Sequence, residues 1–95
     1  MAIERELEPG TQVIYVPMHA EGNIAHPDCE AGFVTSLQVP FAFVRYFYPG
    51  GELRTVANGE RTAIGDLRIA NTRMQEEVDH LMVELGYWTE VADGE

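Results

Sequence analysis

The spacing of apolar residues changes near Asn71, and this change limits the folds that the chain can adopt. Before Asn71, apolar and aromatic residues come in short runs that end at glycine, proline or Asn-Gly, as strands and turns do. After it, apolar residues recur every three or four positions, as on one face of a helix. The sequence therefore predicts a mainly β fold of class β+α. Because closure removes exposed strand edges, we expect a small barrel rather than an open sheet.

The predicted strands are separated by recognisable turns. Pro49-Gly50-Gly51 closes one strand, and Asn58-Gly59 is a strong hairpin signal. A tight turn is predicted at 65–67, and a long ordered loop is predicted over 18–31 because that segment has no strand or helix period. The strands themselves are predicted over 12–16, 32–37, 41–48, 52–57, 60–64 and 68–70.

One amphipathic helix is predicted over 72–85. Thr72 and Gln75 have the spacing of a capping box at its start, and Gly86 is placed to end it. Its apolar face also offers a surface through which two copies of the chain could pair into a homo-oligomer. The apolar residues of this face are Met74, Val78, Leu81, Met82 and Leu85.

The length of 95 residues gives room for one modest core, so we expect a single domain over 1–95. The acidic tail over 86–95 carries Tyr87 and Trp88, which are expected to pack on the barrel or on a partner. No apolar run is long enough to cross a bilayer, and the first residues lack the pattern of a signal peptide. The sequence thus predicts a cytoplasmic protein with no membrane partner.

The formal charge of −10 is concentrated at the two ends of the chain. Residues 1–30 carry −5, residues 31–73 carry +2 and residues 74–95 carry −7. Nucleic-acid binding draws most of its affinity from cations that neutralise phosphates, so direct binding of DNA or RNA is disfavoured. The expected partner is a protein with a basic surface. The central arginines leave a nucleic-acid-associated barrel as an alternative.

Four short segments, 10–15, 31–36, 43–46 and 65–67, follow one another in an order that is found in a known class of small barrels. A glycine opens the first strand, Gly-x-Val-x-Ser begins the second, an aromatic pair ends the third, and Asp-Leu closes the set. This order resembles the SH3-like barrels of the Tudor and KOW type. The resemblance covers residues 9–70 and implies a five-stranded SH3-like barrel, to which the helix is an addition.

A second resemblance lies in the segments 15–22 and 26–32, which include His-Pro-Asp-Cys-Glu. They look like small, mostly uncharacterised phage and prophage proteins with the same barrel. This implies an accessory protein of a phage or mobile element that binds a host protein. Small acidic phage proteins often inhibit nucleases or defence complexes, so the resemblance also suggests a DNA mimic and an anti-CRISPR candidate. A homo-oligomeric structural phage protein is the alternative.

The long loop carries three possible zinc ligands, His19, His26 and Cys29. The candidates for a fourth ligand are Asp28, Glu21, Glu30 and the distant His80. In the alternative, the histidines cap turns and the cysteine packs as a small apolar group, so that no cofactor is bound. Catalysis by Cys29 would require a histidine and Asp28 to converge on it, which neighbours on one turn rarely do. We therefore expect a binding protein and not an enzyme.

Two sets of residues are candidates for binding the partner. Acidic residues of the helix could imitate phosphates and occupy a nucleic-acid channel on another protein, or they could only keep the helix solvated. Aromatic residues on one face of the third strand, and one in the tail, could add an exposed apolar surface. The acidic candidates are Glu76, Glu77, Asp79 and Glu84, and the aromatic ones are Tyr46, Tyr48 and Trp88.

Overall fold

The computed structural model describes residues 7–54 and 59–89. Its elements are β1 (Gln12–Tyr15), a 3₁₀ turn (Met18–Ala20), β2 (Glu30–Gln38), β3 (Phe41–Tyr46), β4 (Glu60–Ala63), a second 3₁₀ turn (Ile64–Asp66), β5 (Leu67–Ile69) and α1 (Gln75–Glu84). The five strands form one antiparallel sheet in the order β4-β3-β2-β1-β5. The prediction of a small, mainly β protein with a five-stranded sheet and a C-terminal helix is confirmed at this level. Of the six runs predicted as strands, 52–57 contributes only an isolated bridge within the described residues. No helix in these ranges has the length and apolar character needed to span a bilayer.

Strand β2 is the longest and lies at the centre of the sheet. Its register with β3 shifts between Val34 and Ser36, which marks a β-bulge that bends the strand. Gly32 lies where β3 comes closest, because a Cβ atom there would be 2.4 Å from the carbonyl oxygen of Arg45. The glycine that the sequence placed at the start of this strand is therefore required by a close approach of two backbones.

Each face of the sheet carries a cluster of buried side chains, because successive side chains of a strand point to opposite sides and each side is partly covered. On one face, the buried residues all come from strands, and we call them the sheet cluster. On the other face, residues of the sheet meet α1, and we call these the helix cluster. The sheet cluster is Val13, Val34, Ala42, Val44, Tyr46 and Leu67, and the helix cluster is Phe33, Phe47, Val78 and Met82.

The side chain of Gln12 joins the start of the sheet to the segment before the helix. Its Oε1 accepts hydrogen bonds from the Thr72 hydroxyl at 3.0 Å and from the backbone N–H groups of Thr72 and Arg73 at 2.8 and 2.6 Å. Its Nε2 donates to the carbonyl oxygen of Arg73 at 2.8 Å. Gln12 is itself buried, so these bonds satisfy an amide that would otherwise be costly to bury.

These bonds correct the predicted start of the helix. The helix begins at Gln75 and not at Thr72, and Met74 is its N-cap. Thr72 cannot form the predicted capping box, because its hydroxyl and its backbone N–H are both engaged by Gln12. The amide of Gln75 instead donates to Gly10 O and Asp79 Oδ1.

The end of the helix follows the prediction more closely. Gly86 has a φ of 90° and follows the C-cap Leu85. The N–H of Gly86 donates to Val83 O, and the N–H of Tyr87 donates to Met82 O, which is the Schellman pattern. The predicted role of Gly86 is confirmed. The last part of the predicted tail, 90–95, lies outside the described residues.

The third and fourth predicted strands differ from the observed ones. Strand β3 ends at Tyr46 and not at Tyr48, because a tight turn begins there: the N–H of Tyr48 donates to Glu52 O, and the N–H of Gly51 donates to Tyr48 O. The strand predicted over 52–57 and its hairpin turn lie partly outside the described residues. Within these, Leu53 makes an isolated antiparallel bridge with Phe47.

Candidate binding groove and loop cluster

A large cleft lies between the loop that follows β1 and the segment 47–54. Its volume is about 860 Å³. Three aromatic residues and three prolines form the apolar part of its wall, and polar and charged side chains form the rest. These residues are Tyr15, Phe47, Tyr48, Pro17, Pro27 and Pro49.

The two arginines of the groove are held by acids of the protein itself. Arg54 pairs with Glu30 and, at 3.2 Å, with Glu60. Arg73 pairs with Glu77 at 3.0 Å, and its guanidinium carbon lies 4.6 Å from the centre of the Phe47 ring. Both cations are therefore compensated, and they act as parts of the wall more than as sites for an added anion.

The loop cluster, which we define as His19, His26 and Asp28, lies at the groove. His19 Nε2 is 2.6 Å from Asp28 Oδ2, and the centres of the two imidazole rings are 5.2 Å apart. His26 Nδ1 accepts a hydrogen bond from the backbone N–H of Asp28 at 3.0 Å. One ligand atom from each of the three residues lies within 4.8 Å of the others. The hydrogen bond from His19 holds the pKa of the Asp28 carboxyl below its ordinary value.

The structure brings together two of the three predicted zinc ligands. Cys29 is not the third member of the group, because its Sγ lies 3.3 Å from Asn23 O, to which it donates. Asp28, predicted as a candidate for the fourth ligand, lies in that place. His80, another candidate, is on α1 and pairs with Glu84 at 3.3 Å. Zinc binding by the loop stays a prediction, and the donors that the structure brings together are His19, His26 and Asp28.

The aromatic part of the predicted partner surface is corrected at Tyr46. This side chain is 2% exposed, and its hydroxyl lies 2.9 Å from Thr62 Oγ1, inside the sheet cluster. Burial raises the pKa of Tyr46 to about 12, against the smaller opposing effect of the Thr62 hydrogen bond. Tyr48 is 50% exposed and lines the groove, while Trp88 covers Gly10, where a Cβ atom would lie 2.7 Å from the indole ring.

The acidic residues of α1 lie around its solvent side, since Val78 and Met82 are buried on the other side. Glu77 pairs with Arg73, Glu84 pairs with His80, and Asp79 accepts a hydrogen bond from Gln75. Glu76, Glu77 and Glu84 are exposed. The acidic set thus remains accessible, although Asp79 and Glu84 have partners within the helix and Glu77 has one just before it.

The apolar face predicted for helix pairing is largely used within the chain. Val78 is fully buried, and Leu81 and Leu85 pack against the helix cluster. Met74 is 68% exposed. The surface available for a second copy is therefore much smaller than the sequence pattern suggested.

Two features of the site were missed from the sequence. Gln12 has no local pattern that reveals its partners, which lie about sixty positions later. Arg73, in contrast, precedes Glu77 by four residues, and that spacing could have indicated their pair.

Comparisons of the chain with protein-family models, with curated proteins and with solved structures found no significant match.

Proposed function

We propose that the protein is a non-enzymatic binding module, and that its groove holds a basic, extended segment of a partner protein. The observation that carries this proposal is the cleft of about 860 Å³ between the loop after β1 and the segment 47–54, with its walls of aromatic residues and prolines. Grooves lined by aromatic side chains bind extended, proline-containing segments because these segments lose little conformational entropy on binding.

The strand order supports an SH3-like barrel as the finer description of the fold. The order β4-β3-β2-β1-β5, a 3₁₀ turn between the last two strands and a bulged central strand are features expected of such a barrel. The long loop after β1 then stands beside the groove, where SH3-like modules hold extended ligands.

The charges of the groove favour a basic occupant. Arg54 and Arg73 are already paired with acids, so an acidic segment would gain little from them. Asp28 bonds to His19 but is 60% exposed at the groove, so its carboxylate can still be reached by a ligand, and the whole chain carries −10. A basic segment would therefore be attracted at long range and could pair with Asp28 at short range.

Selection from a yeast-displayed library of random peptides tests this proposal. We expect the selected peptides to be basic and rich in proline. Their affinity should fall at least about tenfold in Tyr48→Ala, which removes an aromatic wall, since interface hot spots cost at least about 1.4 kcal/mol on truncation. The matched control is Ile69→Ala, an exposed apolar residue of β5 that does not line the groove. Acidic peptides, or equal losses in both variants, would contradict the proposal.

A second candidate function uses the solvent side of α1. There the protein would be a phage or mobile-element accessory protein whose acids imitate phosphates and block a nucleic-acid-binding site of a host defence complex. The exposure of Glu76, Glu77 and Glu84 supports it, together with the resemblance of the loop to phage proteins. The phosphate spacing of DNA is not required, because attraction to a basic channel depends mainly on the sign and density of charge.

Charge reversal separates the two candidates. We expect the combined variant E76R, E77R and D79R to lose binding to a basic host partner if α1 is the interface. Asp28→Arg should abolish binding if the groove is the interface. Glu8→Arg, which reverses an exposed acid outside both α1 and the groove, is the control. Unchanged affinity of the α1 variant for the host partner would show that the helix is not the interface.

A further inference from the structure

We propose that His19, His26 and Asp28 form a site for a divalent first-row transition metal ion, with Zn²⁺ as the ion to test. The inference rests on the geometry of the loop cluster and not on the identity of the groove's partner, although both would use the Asp28 carboxylate. It also replaces the donor set expected from the sequence, because a carboxylate takes the place of the Cys29 thiolate.

The distances in the cluster are close to those of a metal site. The three ligand atoms lie within 4.8 Å of one another, so a point exists within about 2.8 Å of all three. Zinc bonds to nitrogen and oxygen are about 2.0–2.2 Å long, so each ligand atom must move by less than about 1 Å. His19 and Asp28 have side chains that are 62% and 60% exposed, and such side chains can make this movement.

The donor types determine the class of ion. Two imidazoles and one carboxylate suit zinc and its neighbours, whereas Mg²⁺ and Ca²⁺ prefer shells of oxygen. Three protein ligands also leave a fourth tetrahedral position for water or for a donor from a ligand. All three residues line the groove, so an ion held by them would lie beside it.

The loop also has a structural reason to bind an ion. Its two largest apolar residues contribute little packing, since Met18 is 89% exposed and Ile24 is also exposed, although Ala20 is buried. Successive turns hold it instead: the N–H of His26 donates to Asn23 O, and the N–H of Cys29 donates to His26 O. A metal ion would connect the turn that carries His19 to the turn that carries His26 and Asp28. We therefore expect Zn²⁺ to raise the melting temperature of the protein by mass action.

The test is titration calorimetry with Zn²⁺, together with native mass spectrometry before and after chelator treatment. We expect one Zn²⁺ per chain, removed by the chelator, and no binding of Mg²⁺. Loss of an outer-shell partner of a metal typically lowers affinity about 10- to 100-fold. His19→Asn and Asp28→Asn each remove a direct ligand, so we expect losses of at least about 100-fold.

Two control variants identify the donor set. His80→Asn removes a histidine of α1, and Cys29→Ser removes the thiol that bonds to Asn23. Both should bind Zn²⁺ as tightly as the original chain. Loss of binding in Cys29→Ser, or thiolate-to-metal charge transfer in the Co²⁺ form, would overturn the proposed donors in favour of the thiolate. Absence of a bound ion in the original chain, or equal effects of His80→Asn and His19→Asn, would overturn the site itself. Far-UV circular dichroism checks that each variant is folded.

Discussion

The two faces of the sheet are buried in different ways. The sheet cluster is built from strands alone, from Val13 on β1 to Leu67 on β5. The helix cluster needs α1, because Phe33 and Phe47 of the sheet side are covered by Val78 and Met82 of the helix. One face therefore forms together with the sheet, whereas the other face forms only when a separate element docks on it.

This difference indicates which contacts hold the molecule together as a unit. Strand pairing fixes the sheet cluster through many backbone hydrogen bonds. The helix is held by the few apolar side chains of the helix cluster, by the bonds of Gln12 and by the packing of Trp88 on Gly10. We expect the helix to be released more easily than any of the central strands.

The largest effect is expected for Phe33→Ala. Phe33 is fully buried in the helix cluster, and removal of such a phenylalanine typically costs about 3–5 kcal/mol. Because the cavity would form between sheet and helix, amide hydrogen exchange should increase in α1 before it increases in β2 and β3. Phe33→Leu is the milder variant to use if Phe33→Ala does not fold.

The neighbouring residue gives a matched control on the opposite face. Val34→Ala removes two methyl groups from the sheet cluster and should cost about 2 kcal/mol. In this variant, exchange should increase in the sheet and in α1 together. If Phe33→Ala left α1 as protected as the central strands, the helix would not be the less stable element.

A smaller effect, about 2–3 kcal/mol, is expected for Gln12→Leu. This change keeps the buried volume nearly constant but leaves the N–H groups of Thr72 and Arg73 without their acceptor. Urea unfolding measures the loss. We also expect faster amide exchange at 72–75, where the chain enters the helix.

Thr72→Val is the control for this change. It removes only the hydroxyl that bonds to Gln12 and should cost about 1 kcal/mol or less. Equal losses in the two variants would mean that the backbone bonds of Gln12 contribute nothing measurable to the docking of the helix.

The sequence predicted those features of the fold that depend on local patterns of residues. Alternating residues identified the strands, the change of period identified the helix, and Gly86 identified its end. The sequence could not show that both faces of the sheet are covered. For this reason the alternation of aromatic residues over 41–48 predicts one buried and one exposed set, whereas Tyr46 and Phe47 are both buried, on opposite faces.

Contacts between distant segments account for the other differences. The start of α1 is set by the side chain of Gln12, about sixty residues earlier, so no helical propensity or capping rule could locate it. The loop cluster shows the same limit on a smaller scale. Spacing placed His19, His26 and Cys29 on one loop, but the turn at 26–29 directs the thiol to Asn23 and the Asp28 carboxylate to His19.

The next effect depends on pH and tests the sheet cluster. The pKa of Tyr46 is raised from 10.0 to about 12 because its neutral form is buried. The folded state therefore holds this proton more tightly than the unfolded state. The resulting stabilisation is fully present below pH 10 and is lost as the pH rises from 10 to about 12. The shift corresponds to about 2–3 kcal/mol at most.

Comparison with Tyr46→Phe isolates this contribution. We expect the phenylalanine variant to lose less stability than the original chain between roughly pH 9 and pH 12, the range in which a buried tyrosine loses its proton. Urea unfolding at each pH measures this loss. Tyr48→Phe changes an exposed tyrosine and should keep the pH dependence of the original chain. Identical profiles for all three proteins would show that Tyr46 is not buried as a neutral group.

The smallest effect concerns the end of the helix. Gly86 has a φ of 90°, and a residue with a Cβ atom is strained in that conformation. Gly86→Ala should therefore cost about 1 kcal/mol in urea unfolding. Gly65→Ala is the control, because the φ of Gly65 is not positive and a Cβ atom added there would meet no other atom within 4 Å. Tyr87 packs against the helix cluster directly after this turn. If Gly86→Ala also increased amide hydrogen exchange in α1 without affecting β2, the turn would contribute to the docking of the helix on the sheet as well as to the length of the helix.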